Sequence, residues 1–146
     1  MPLTVAEQQA ETLATFSRVE RIEAVAATLD DNAAAKLRDI VEEMIDSTPP
    51  VRITAAAKLL NLSKPTIHAW CERGVLKRAD GSPVRTLDPH RLHAVLHIVR
   101  DLRVLADQPG NLLEQVWHRL QDRTLLETEE LREGLASWRA GDVVEA

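Results

Sequence analysis

Tyrosine is absent from this 146-residue chain, phenylalanine and cysteine occur once each, and glycine only five times. Each scarcity removes a class of function. With three Trp and one Phe as its only aromatics, the chain lacks the several ring faces on which single-stranded nucleic acid stacks. A lone Cys71 allows neither an internal disulfide nor a cysteine-built zinc site within one chain. It sits beside Trp70 on the inner side of an expected helix, as a small buried hydrophobe and not a nucleophile. The glycines are not spaced to cradle a phosphate. The start, MPLTVAEQQAETLATF, has neither the cationic opening nor the apolar core of a signal peptide, and no run approaches the roughly 18 apolar residues that cross a bilayer. Export and membrane insertion are not expected, and a cytoplasmic location is.

Charge is abundant but unevenly placed. Residues 1–50 carry 4 Lys and Arg against 10 Asp and Glu, residues 51–103 carry 10 against 4, and residues 104–146 carry 4 against 9. The net −5 of the whole chain therefore conceals a basic centre between two acidic ends. Phosphate contacts depend on where the cations sit and not on the total. The acidic pairs Asp30 and Asp31, Glu42 and Glu43, and Glu129 and Glu130 fall at helix starts or on solvated faces, so no general acid or base is expected and the chain does not read as an enzyme.

The apolar pattern divides the chain in three. In residues 1–48, Leu13, Phe16, Val19 and Ile22 recur at helical spacing, and Leu37, Ile40, Val41, Met44 and Ile45 share a face of a second helix ending near Asp46. These form a helical hairpin whose stripe of Leu13, Phe16, Val19, Ile22, Leu37 and Ile40 is expected to meet a second copy. Pro49 and Pro50 mark a boundary. Residues 110–146 read as C-terminal helices, in which Leu131, Leu135 and Trp138 make a narrow apolar strip. That strip either docks on its own domain or binds a protein partner, such as a toxin neutralised by this chain.

Between them, residues 51–107 hold ITAAAKLLNLSKPTIHAWCERGVL, running from Ile53 to Leu76. Thr54 is expected to cap a first short helix with small inner residues, and Asn61 and Leu62 to make a turn. Ser63 then caps a second helix that keeps Ile67, Trp70 and Cys71 inward. Gly74 closes that helix, and the turn cluster Asp80, Gly81, Ser82 and Pro83 predicts a small β-hairpin wing. Asp88 and Pro89 open a further helix with Leu92, Val95, Leu96, Val99 and Leu102 as its buried stripe. The second helix is the candidate for the major groove of double-stranded DNA. Thr54, Ser63, Lys64, Pro65, Thr66, His68, Arg73, Lys77, Arg78 and Arg85 are the candidate contacts to bases and phosphates. His90, His93 and His97 share one face of the following helix. Lying opposite the apolar stripe, they read as a solvated or DNA-proximal polar face, and neither a metal nor any cofactor is expected.

Residues 53–105 resemble the winged helix-turn-helix of the mercury-resistance-regulator (MerR) and excisionase-like superfamily. The resemblance is carried by Ala56, Ala57, Leu60 and Leu62, by SKPTIHAWCERGVL, and by VRTLDPHRLHAVLHIVRDLRVLA after the wing. It implies that Thr66 and His68 face the groove, that Arg85 in the wing clamps phosphate, and that a dimer binds a partly palindromic site. The expectation is an all-α protein with a small wing, a sequence-specific DNA-binding regulator and dimeric repressor, the autoregulating antitoxin of a toxin-antitoxin pair being one form of this. An excisionase-like architectural protein that bends tandem sites is the alternative within DNA binding. A protein-interaction adaptor using its acidic ends is the alternative outside it.

Overall fold

A computed structural model describes residues 4–79, 85–105 and 112–123. The elements are α1 (Val5–Ala26), α2 (Asp31–Asp46), β1 (Val51–Arg52), α3 (Ile53–Leu60), α4 (Lys64–Glu72), β2 (Thr86–Leu87) and α5 (Pro89–Leu105), followed by a helix over residues 112–123, here α6. The described residues are thus mostly helical with one small antiparallel sheet. None of the described helices is long and apolar enough to cross a membrane. The expected strip of Leu131, Leu135 and Trp138 lies outside the described residues.

Local chemistry starts each helix. Thr4 and Glu7 form a reciprocal capping box at α1, and the Asp30 carboxylate accepts from the Ala33 amide, 2.9 Å away, at α2. Asp88 caps α5 by accepting from the Arg91 amide at 3.0 Å. Thr54 does not cap α3. The chain enters that helix at Arg52, which makes no side-chain cap, because Val51 and Arg52 are still paired in a strand opposite Leu87 and Thr86. Two residues are too few to show a periodicity, so this strand has no signature in the sequence.

α1 and α2 pack as an antiparallel pair, with α1 also against α3 and α2 against α5. One continuous core results, joining Phe16, Val19, Val41 and Ile45 to Val51, Leu60, Trp70, Leu92, Val99 and Val116. This alters two expectations. Pro49 and Pro50 do not separate two cores, and Phe16 and Val19, expected at a dimer contact, are each 1% exposed inside the protein's own interior. Ile22 is partly buried against the same core, and Leu13 and Leu37 are half-buried. Of the six residues assigned to the dimer, Ile40 alone is exposed, at 46%. The periodicity identified the apolar face correctly, but what covers it is the packing of α1 and α2 on each other, with α3 against α1 and α5 against α2.

Candidate nucleic-acid interface

α3 and α4 form a tight helical pair because the residues between them are small or buried. Ala55, Ala56 and Leu60 of α3 meet Ile67 and Trp70 of α4 in the core. Asn61 takes the left-handed conformation (φ 55°) that an asparagine tolerates at a helix end. The Leu62 amide then returns to the Ala57 carbonyl at 3.0 Å. Ser63 opens α4 by accepting from the Thr66 amide at 3.3 Å, and the two hydroxyls lie 2.8 Å apart. At the other end Gly74 adopts φ 82°, and the Val75 amide bonds the Trp70 carbonyl at 3.0 Å. A Cβ at Gly74 would make only an ordinary contact with the ring of Trp117 at 3.6 Å, so it is the positive φ, and not the packing of α6, that favours glycine there.

The segment after α4 returns as a hairpin. The Ala79 amide donates to Thr86 and the Asp88 amide to Lys77, both at 2.9 Å, and Arg78 bridges to Leu87. Leu87 is paired on both sides, by Val51 and by Arg78, which ties the hairpin to the start of α3. The hairpin tip, residues 80–84, lies outside the described residues.

On this scaffold, Ser63, Lys64, Pro65, Arg73, Lys77, Arg78 and Arg85 are exposed, whereas Thr54, Thr66 and His68 are half-buried. Lys58, in the last turn of α3, is exposed as well and was not among the residues expected. Its only sequence signal is membership in the basic stretch. Three candidates are constrained by neighbours. The Thr66 hydroxyl is held against Ser63. The Nδ1 atom of His68 is closed off from solvent with no hydrogen-bond partner among the described residues. Arg73 pairs with Glu114 of α6 at 3.5 Å, with both side chains largely exposed. Behind the helix, burial raises the pKa of the Cys71 thiol, an effect only partly offset by a hydrogen bond from Arg78. Cys71 thus fits the reading of an unreactive packing residue.

The three histidines of α5 are solvated to different degrees, His90 being exposed at 43% and His93 sheltered at 15%, and all three are engaged by carboxylates. They point at α1 and α2: His90 Nε2 lies 2.6 Å from the Asp46 carboxylate, and His93 and His97 both reach Glu23. Arg100 continues the row to Glu20 at 3.1 Å. The difference from a fully solvated face has a plain cause: α5 is covered on more than one side, and its polar side faces the acidic helices. No protein-family model, curated protein or solved structure matches this chain.

Proposed function

We propose that the protein is a sequence-specific regulator that binds double-stranded DNA through a winged helix-turn-helix and represses by covering a promoter. α4 is the helix that enters the major groove, with the hairpin after it lying along the flanking backbone. The observation that carries this reading is that Lys58, Lys64, Lys77, Arg78 and Arg85, all on the helical pair and hairpin, are exposed in a chain that is otherwise acidic. None of these five has a carboxylate partner among the ion pairs of the described residues. Exposed cations without a carboxylate partner are suited to phosphate binding.

Length argues for two copies on the DNA. The nine residues of α4 span roughly 13.5 Å at about 1.5 Å per residue, the rise of about four base pairs at about 3.4 Å each. So short a readout supports a paired site, with half-sites centred about one helical turn apart. The contact between copies is not the stripe around Phe16 and Val19, which is already covered; Ile40 of that set remains available.

Selection of bound duplexes from a randomised library tests the reading. An enriched inverted repeat with half-site centres about 10 base pairs apart is the expected result. Enrichment of tandem sites that become bent would favour an architectural role, and no enrichment over input would contradict sequence-specific recognition.

A further inference from the structure

The histidine row contains a second, separate arrangement. His93 and His97 stand one helical turn apart on α5 and both turn an Nε2 atom toward the carboxylate of Glu23, which comes from α1 seventy residues earlier. The separations are 3.3 Å to one carboxylate oxygen and 2.5 Å to the other. One donor atom from each residue lies within 4.8 Å of the other two. The side chains are 15%, 37% and 21% exposed for His93, His97 and Glu23, so the cluster is sheltered yet open on one side to a cleft of about 490 Å³.

We propose that Glu23, His93 and His97 form a binding site for a divalent transition metal of the zinc type. Two imidazole nitrogens and one carboxylate oxygen are a ligand set suited to such an ion, and three protein ligands leave a fourth position open. Tetrahedral ligands at about 2.0–2.1 Å from zinc lie roughly 3.3–3.4 Å from one another. The His93–Glu23 separation already has that value, His97 stands closer to the other carboxylate oxygen, and the three donors, all within 4.8 Å of one another, need side-chain adjustment to converge on one centre. The cleft is also lined by Glu42 and by Arg38, Arg91 and Arg123. The three guanidinium groups disfavour a bare cation, and they favour an anion or hydroxide as its fourth ligand. Coordination would join α1 to α5 directly, independently of any DNA contact.

The direct test is titration of the intact, metal-free chain with cobalt(II), followed by zinc competition and circular-dichroism melting. One equivalent of cobalt with visible ligand-field bands is expected, displaced by zinc, with the melting temperature rising as zinc is added. His97→Gln and Glu23→Gln should each weaken binding at least about tenfold, the loss that removal of even an outer partner of a metal ligand brings. His90→Gln, which alters the neighbouring Asp46 pair, should leave binding intact. X-ray absorption on the zinc-loaded wild-type chain gives a readout that needs no variant, and should show two imidazoles with oxygen completing the set. Failure of the wild-type chain to take up stoichiometric cobalt would overturn the proposal. So would zinc coordinated by a different set, or binding unchanged in both ligand variants.

Discussion

Two polar surfaces of this molecule handle charge in opposite ways. On α3, α4 and the hairpin, Lys58, Lys64, Lys77, Arg78 and Arg85 extend into solvent. Where α5 meets α1 and α2, His90, His93, His97 and Arg100 are each matched to a carboxylate of the acidic hairpin. The first surface leaves its charge exposed, and the second sets its cationic and imidazole groups against carboxylates of the same chain. The proposed binding of a polyanion rests on the former, where the cations lack carboxylate partners among the described residues, whereas Arg73 beside them lies 3.5 Å from Glu114.

The largest effect that probes this division is removal of residues 1–48. If the acidic hairpin is part of the core that supports the basic surface, the remaining chain exposes Val51, Ala55 and Leu92 together and loses its cooperative thermal transition, as seen by circular dichroism. A truncated chain that melts cooperatively would restore the hairpin as a separate unit. Next in size is Phe16→Ala, which should cost about 3–5 kcal/mol in urea denaturation because its ring fills a closed interior. A loss under about 1 kcal/mol, the range of surface pairs, would instead return Phe16 to an intermolecular face.

Much of this was legible in the sequence where the signals are local. Ser63 and Asp88 mark the starts of α4 and α5, Gly74 marks the end of α4, and Leu92, Val95, Leu96 and Val99 identify the inner side of α5. Long-range facts were not. The apolar face at Phe16 is evident from spacing, but nothing in spacing says whether a second copy or α2 and α3 will cover it. The histidine face has the same problem, since Glu23 lies 70 and 74 residues from its partners. The basic surface could be anticipated because its residues are nearly contiguous, and Lys58 was missed because it sits on the supporting helix.

Smaller effects sharpen the contrast within the basic surface. Lys64→Ala and Arg85→Ala should weaken binding to every duplex and lower the magnitude of the salt slope by about 1 each. Substituting Thr66 or His68 should instead change the preference among sequences, by about 1–3 kcal/mol per lost base contact, measured by competition between selected and scrambled duplexes. A uniform loss at Thr66 would make its hydroxyl a structural partner of Ser63 and nothing more. Arg73→Ala should alter stability by less than about 1 kcal/mol, since its partner Glu114 is equally exposed to screening.

The smallest effect concerns the inner side of α4. With its thiol pKa raised by burial, Cys71 is less ionised at pH 8 than a free thiol of pKa about 8.5. Alkylation of the folded protein should therefore be slower than in urea and should keep accelerating to higher pH. A folded rate equal to the unfolded rate would mean that the inner side of α4 is open.

The salt dependence of duplex affinity tests the central claim most directly, using fluorescence anisotropy of the full chain on labelled DNA. Each phosphate neutralised contributes about 0.9 to the slope of log affinity against log salt, so five outward cations allow a magnitude of up to about 4.5 per protomer. A steep decline within that limit, reduced in the Lys64→Ala and Arg85→Ala proteins, is the predicted result. Affinity that stays flat from low to moderate salt, or no duplex binding at low salt, would contradict the assignment of this surface to DNA.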